Sequence, residues 1–132
     1  IVDFDQRIET GRIEHSVISG AHPHNDGLQG APAHGLGVTP DGKTLWSTSK
    51  VFGYAYVYSL PEIEEIGRVF VGQHPEWITF TPDSQTAYIG VAGDNATYAV
   101  DVESLKVVAR IPVGQVPKRI ATVEIAVDEP IR

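Results

Sequence analysis

The sequence feature that most constrains the fold is an internal repeat. The segment Thr-Pro-Asp-Gly-Lys-Thr at positions 39–44 returns as Thr-Pro-Asp-Ser-Gln-Thr at positions 81–86, so that Pro40 and Pro82 are 42 residues apart. The segment Val-Gly-Gln that begins at position 71 recurs at position 113 with the same spacing and no gap. A period of this length indicates a repeat architecture, whose units are either helix pairs or small β-sheets.

The residues inside each unit favour strands. A short apolar segment at 35–38 leads into the Thr-Pro-Asp-Gly turn, where proline presets the first central φ and Asp-Gly accommodates the chain reversal. Residues 54–58 are aromatic and β-branched, which suits a pleated sheet. The segments 61–65 and 103–106 are too short to form a stable helix. The repeat therefore predicts an all-β fold built from β-propeller blades of four antiparallel strands.

The repeat divides the 132 residues into about three blades. Residues 33–73 and 75–115 are predicted as two full blades. Residues 1–13 align with 99–111, which predicts the two outer strands of a preceding blade. Residues 14–32 are rich in Gly, Pro, Asn and Asp and are predicted as an inserted loop. Residues 117–127 are predicted as the inner strand of a further or closing blade.

The order of these motifs resembles a known family. Gly-Gln-x-Pro, a short strand, Thr-Pro-Asp-Gly-Lys-Thr-Leu-Trp and then Val-Asp-Val-Glu-Ser-Leu-Lys-Val-Val-Ala-Arg-Ile-Pro-Val-Gly resemble the YVTN-type β-propeller repeat. The resemblance implies the C-terminal blades of a seven-bladed propeller and an extracytoplasmic location, either periplasmic or secreted. Propeller rings typically close with four to eight blades. The expected partners are therefore further blades, from other copies or from another chain.

Composition excludes several function classes. Lys and Arg number 10 against 17 Asp and Glu, giving a formal net charge of −7, so no nucleic-acid binding is expected. No apolar run approaches the roughly 20 residues that span a bilayer, so no membrane span is predicted. The chain has no Cys, which excludes thiolate metal sites and Cys nucleophiles. Sequence motifs of serine hydrolases, nucleotide-binding loops and zinc proteases are absent.

Candidate functional residues concentrate at one end of the predicted blades. Connections in a four-stranded meander alternate between two ends, and one end receives every histidine: His15, His22, His24, His34 and His74. His34, Glu76 and Lys118 occupy the same repeat position and are expected around the channel mouth. The predicted ligand- or partner-binding residues are His22, His24, Asn25, Asp26, His34, His74, Glu76, Lys118 and Arg119. Long loops on rigid scaffolds often carry function, so the insertion is expected to contact a ligand or partner.

Two functions follow from this placement. The first is a binding or scaffold module that presents the His-rich loop face to a ligand or partner. The second is an oxidoreductase with a copper or haem-type cofactor, in which His22, His24 and His34 are metal ligands, because imidazole binds transition metals. In fold and histidine placement alone, the chain resembles copper oxidoreductases of the nitrous-oxide-reductase and thiocyanate-dehydrogenase kind, and haem d1 proteins. A purely structural segment, with these histidines as ordinary loop residues, is the third alternative.

Overall fold

The computed structural model describes residues 1–16, 18–20 and 32–125 of the chain. Within these residues the chain forms ten β-strands and one turn of 3₁₀ helix, Ala92–Asp94. In chain order the strands are β1 Val2–Asp3, β2 Ile8–Glu9, β3 Ala33–Val38, β4 Thr44–Ser49, β5 Tyr54–Ser59, β6 Glu65–Phe70, β7 Pro75–Phe80, β8 Thr86–Val91, β9 Ala96–Asp101 and β10 Lys106–Pro112.

Eight of the strands form two four-stranded antiparallel sheets. Strands β3 to β6 make the first sheet and β7 to β10 the second, and each strand pairs with its neighbours in the sequence. We call these sheets blade 1 and blade 2. The prediction of an all-β fold with blades of four antiparallel strands is confirmed.

The repeated Thr-Pro-Asp turn joins the first two strands of each blade. In blade 1 the amide of Thr44 donates to Thr39 Oγ1 at 3.1 Å, and the amide of Lys43 donates to Asp41 Oδ1 at 3.1 Å. Hydrogen bonding, first of all with Thr39, lowers the pKa of Asp41. The turn of blade 2 repeats the same pattern of hydrogen bonds. The side chains of this motif therefore satisfy the backbone where the two strands reverse direction, which explains its recurrence.

The hydrophobic core lies between the two blades. The indole of Trp46 is fully buried and meets Phe80 edge-to-face, with the ring centroids 5.8 Å apart. Glycines on β3 allow β7 to approach: a Cβ at Gly37 would lie 2.9 Å from the Phe80 ring, and a Cβ at Gly35 would collide with the Glu76 carbonyl. The buried cluster comprises Trp46, Ala55, Val57, Val69, Val71, Ile78, Phe80, Ala87, Ile89, Val91 and Val100.

Four aromatic side chains on the strands differ in burial. Trp46 is in the core, and Tyr98 is partly buried and packs against it. Trp77 and Tyr88 are half-buried. The ring of Trp77 has Arg119 above it, as described below. The core residues Ile78 and Ile89 alternate with Trp77 and Tyr88 along β7 and β8, so these two rings lie outside the buried cluster.

The amino-terminal strands reproduce the outer pair of blade 2. Val2 pairs with Glu9 and Asp3 with Ile8, and 98 residues further on Val100 pairs with Val107 and Asp101 with Lys106. The intervening turns also match, since Arg7 and Leu105 both have positive φ, at 54° and 53°. The same local sequence chemistry therefore builds the same hairpin at both places.

The segment after β10 lies against β7 but carries no strand in its described part, residues 113–125. The amide of Trp77 donates to the Lys118 carbonyl at 3.3 Å, and the amide of Thr122 donates to Thr79 Oγ1 at 3.1 Å. The sequence predicts an inner strand over 117–127, of which 126 and 127 lie outside the described residues. A strand requires a ladder partner, and within the described ranges none pairs with this segment.

Candidate functional site

The two innermost strands, β3 and β7, begin at the same end of the blades and place charged side chains there. His34 lies on β3 and Glu76 on β7, both at the second position of the strand. Lys118 has the corresponding position in the segment that lies against β7. The prediction that these three repeat-equivalent positions share one end agrees with their contacts, because His34 meets Glu76 and Lys118 lines a cavity with Glu76.

The centre of this end is the carboxylate of Glu76, which is 2% exposed. Its Oε1 lies 3.0 Å from Nζ of Lys50, whose residue is 5% exposed. Its Oε2 lies 3.2 Å from Nδ1 of His34. A buried charge is tolerated when an opposite charge is held beside it, so Lys50 is the group that allows Glu76 to remain buried.

The contact between His34 and Glu76 is close but is not aligned as a hydrogen bond. Within the described residues, Nδ1 of His34 and Oε2 of Glu76 each have no hydrogen-bond partner. Buried polar atoms are normally satisfied, so this pair is where an additional group at the site would find free hydrogen-bonding or ligating capacity.

Thr48 fixes the backbone around this centre. Its hydroxyl donates to the Glu76 carbonyl at 2.8 Å and accepts from the Gly35 amide at 2.7 Å. One buried side chain on β4 therefore connects β3 with β7. Lys50 follows two residues later, and its amide donates to the Pro32 carbonyl at 2.9 Å. These bonds place Lys50 on blade 1 opposite Glu76 on blade 2.

A cavity of about 90 Å³ opens beside the carboxylate. Its polar lining is formed by Lys50, His74, Glu76 and Lys118, and the rest by Ala92, Gly93 and Val116. His74 is buried and has φ +56°, while its repeat equivalent Val116 has φ +52°. The left-handed backbone is thus a property of the connection that follows each blade. In the connection from blade 1 to blade 2, the residue in this conformation is His74, which lines the cavity.

A second row of side chains lies next to the cavity. The ring of Trp77 meets His34 edge-to-face, with centroids 5.8 Å apart, and carries the guanidinium of Arg119 at 5.2 Å from its centroid. A cation over an indole face is attracted by the ring quadrupole. His34, His74, Glu76, Lys118 and Arg119 are therefore gathered at one end, whereas His22, His24, Asn25 and Asp26 lie outside the described residues.

Lys50 is a residue of the candidate site that the sequence analysis did not identify. It lies in the loop between β4 and β5, on the end that collects the histidines, and its repeat equivalent is Ala92. A charged residue where the other repeat has alanine is a visible departure from the pattern. That departure, placed opposite the acidic Glu76, is the signal that could have identified it.

His15 is at a different location, beside blade 1. Its ring stacks on Tyr56 with centroids 4.2 Å apart, and Nε2 lies 3.0 Å from Ser47 Oγ. Burial lowers the pKa of His15, and the Glu65 carboxylate opposes this effect. Nearby, burial above all raises the pKa of Tyr58 to about 12. These residues hold the start of the insertion against the blade.

Between residues 1–14 and blade 1 lies a larger cavity of about 580 Å³, lined mainly by apolar side chains. The blade 1 residues Leu36 and Val38 on this side are 61% and 49% exposed. Their repeat equivalents in blade 2, Ile78 and Phe80, face blade 1 and are 7% and 8% exposed. The same face is thus covered in one blade and open in the other.

In the part of the chain that the structure describes, no group of three His, Cys, Asp or Glu side chains could hold a metal ion. Among those same residues, no helix is long and apolar enough to cross a membrane.

Comparison with known proteins supports the fold. No protein-family model and no curated protein sequence matches the chain. Hydrazine synthase from Kuenenia stuttgartiensis is similar in structure, with a TM-score of 0.67 and 25% identity over 80% of this chain and 29% of that one. Dihydro-haem d1 dehydrogenase NirN in complex with DHE has a TM-score of 0.61 and 21% identity, covering 69% of this chain and 21% of that one.

A third similar structure is apo AztD from Citrobacter koseri, with a TM-score of 0.60 and 18% identity, covering 67% of this chain and 25% of that one. The WD40 repeats of RRP9 also match. These neighbours are β-propeller proteins, so the propeller fold is supported. The chain spans less than a third of the length of each.

Proposed function

We propose that this chain is a β-propeller binding module whose charged end, the end built around Glu76, receives a ligand or partner. The observation that carries the proposal is the buried pair of Lys50 and Glu76 beside a cavity that His74 and Lys118 also line. Buried charges cost stability unless they are paired, and a hydrophobic pair of the same size would serve packing equally well. Polar groups that converge on a pocket at a propeller end are typical of a binding site.

The proposal includes completion of the ring by further blades, from other copies or from another chain. The open face of Leu36 and Val38 supports this, because blade 2 buries the equivalent face against blade 1. The hairpin of β1 and β2 has the register of an outer strand pair, and the 580 Å³ cavity separates it from blade 1. Two inner strands that pair beside β1 would complete this hairpin as a four-stranded blade.

Native mass spectrometry tests the completion. We expect either assembly of copies or capture of a partner chain, and Leu36→Lys should abolish it because it places a charge on the open face. Val108→Lys, an exposed change on the outermost strand, is the matched control. A chain that remains a single folded copy and binds no partner chain would contradict the completion.

The inserted loop is proposed to contribute to the binding face through His22, His24, Asn25 and Asp26. The support is its chain position, since residues 32 and 33 lead directly from the insertion into β3 and His34. Replacing His22 and His24 together by alanine should weaken ligand binding at the charged end. Unchanged binding in this double variant would remove the loop from the proposal.

The second candidate is a metal- or cofactor-dependent oxidoreductase with copper or a haem-type group. It is favoured by Nδ1 of His34 and Oε2 of Glu76, which lie 3.2 Å apart without hydrogen-bond partners among the described residues. Two adjacent ligands of a tetrahedral ion at about 2.0–2.1 Å lie a similar distance apart. Further ligands would be His22 and His24 or residues of other blades.

Elemental analysis separates the two functions. Stoichiometric copper, iron or zinc that is lost in His34→Ala but retained in His15→Ala would favour the oxidoreductase. Protein that purifies without metal and still binds its ligand favours the binding module. An extracytoplasmic location, either periplasmic or secreted, is also proposed, on the YVTN-type resemblance, and cell fractionation tests it.

A further inference from the structure

We infer that the 90 Å³ cavity at the charged end binds an anionic group, specifically a carboxylate. The inference rests on the proposed binding function and names the chemical class of ligand for that site. Its first ground is charge: among the described residues, two lysines and one glutamate line the cavity, so the formal charges of these three side chains sum to +1.

The second ground is the number of unused donors. An ammonium group has three N–H donors, and the ion pair with Glu76 Oε1, 3.0 Å from Lys50 Nζ, uses at most one of them. Within the described residues Lys50 Nζ has no other side-chain partner, and the ammonium of Lys118 has none. Lys50 is buried and lines the cavity, so a group that enters the cavity can accept from its remaining donors.

The third ground is that the position of Lys118 is held by the backbone. The amide of Val113 donates to the Asn95 carbonyl at 3.0 Å, and the amide of Val116 donates to Asn95 Oδ1 at 2.9 Å. The Lys118 carbonyl then accepts from Trp77. The lysine therefore stands at the cavity rim on a fixed segment, while Lys50 occupies the interior.

The shape of the site suits a small oxyanion. The cavity holds several water-sized groups, which is enough for a carboxylate and the carbon that bears it. A carboxylate accepts charge-assisted hydrogen bonds from both lysines. Two sources carry this chemistry, a free carboxylic acid and an acidic side chain of a partner, and they make the same contacts in the cavity.

The test is a titration with sodium acetate at constant ionic strength, followed by the amide signals of Ala92 and Gly93 in NMR spectra. We expect saturable shifts, and Lys118→Met should weaken binding by about 10- to 150-fold, which corresponds to the about 1.5–3 kcal/mol of a hydrogen bond to a charged group. Lys118 is exposed, so this variant should fold. Lys43→Met, at the opposite end of the blade, should bind acetate like the unaltered chain.

Glu76→Gln gives a prediction of opposite sign. Glutamine leaves Lys50 without its charged partner, so the titration is made under conditions in which the NMR spectrum of the variant shows the folded chain. Removing the negative charge should then tighten acetate binding several-fold, whereas it would weaken binding of a cation. The same titration with a short peptide ending in Asp distinguishes a partner's side chain from a free acid, since tighter binding of the peptide identifies the partner as the source.

Each outcome of these titrations either supports or overturns the inference. No shift with acetate or the peptide, with shifts on adding Zn²⁺ or Cu²⁺, would overturn the carboxylate inference and leave the binding module standing. No shift with acid, peptide or metal would overturn both the carboxylate inference and the proposed binding function. Equal loss of binding in Lys118→Met and Lys43→Met would show that the effect is one of overall charge, and would also overturn the inference.

Discussion

Replacing Lys50 by methionine should be strongly destabilising. Methionine keeps most of the length of the lysine side chain and removes its charge, so Glu76 would remain as an unpaired carboxylate that is 2% exposed. Removing one partner of a buried ion pair costs about 3–5 kcal/mol. The short distance, 3.0 Å between Nζ and Oε1, and the burial of both residues place Lys50 in this class.

The effect is large enough to measure by urea denaturation. With a slope of about 2 kcal/mol per molar urea, a loss of about 4 kcal/mol lowers the unfolding midpoint by about 2 M. The double variant Lys50→Met with Glu76→Met should recover most of the loss, because both charges are then absent and the volume is kept. The free energy of unfolding of this double variant should lie within about 1–2 kcal/mol of the unaltered chain.

The control is the exposed ion pair of Lys43 and Asp41, whose Nζ and Oδ2 lie 3.2 Å apart. Lys43→Met should change the free energy of unfolding by no more than about 1 kcal/mol, because solvent screens exposed pairs. If Lys50→Met and Lys43→Met had the same small effect, or if the double variant were as unstable as the single one, Glu76 would not depend on Lys50 for its burial and the charged end would be solvated.

Three further predictions concern packing and pH. Because burial lowers the pKa of His15, its neutral form is favoured in the folded chain. The contribution of His15 to the free energy of unfolding is therefore present above its ordinary pKa of 6.5 and should be lost as the pH falls below that value. His15→Gln should reduce this pH dependence, measured as the urea midpoint at each pH. Trp46→Ala should cost about 3–5 kcal/mol, and a loss under 1 kcal/mol would contradict its place in the core. Gly37→Val should separate the blades because the new side chain meets Phe80. Amide hydrogen exchange at the interface between the blades should then become faster, and unchanged exchange rates there would refute this.

The fold could be predicted from the sequence because its determinants are local and repeated. The Thr-Pro-Asp turn carries its own hydrogen-bonding side chains, and it places two strands in register wherever it occurs. The period then located every strand of blades 1 and 2. The segment 117–125 shows the limit of this reasoning, since pattern alone cannot supply the neighbouring strand that a β-ladder requires.

The site was only partly predictable. Repeat position brought His34, Glu76 and Lys118 to one end, because equivalent residues in successive blades take equivalent places. The pairing of Glu76 with Lys50 depends on a loop of one blade reaching the inner strand of the next, and that distance is not encoded by the period. His15 shared the predicted end but packs against Tyr56, because the start of the insertion runs along the blade.

The placement of Lys50 and Glu76 on different blades affects which blades can pack side by side. Blades of one repeat family have similar shapes and could in principle dock in several orders. Lys50 on blade 1 needs an acidic residue at the position of Glu76 on the next blade. A segment with a lysine at this position, as Lys118 has, could not take the place of blade 2, because two ammonium groups would then be buried together. The residue at this repeat position, His34, Glu76 or Lys118, therefore bears on which blade can pack beside which.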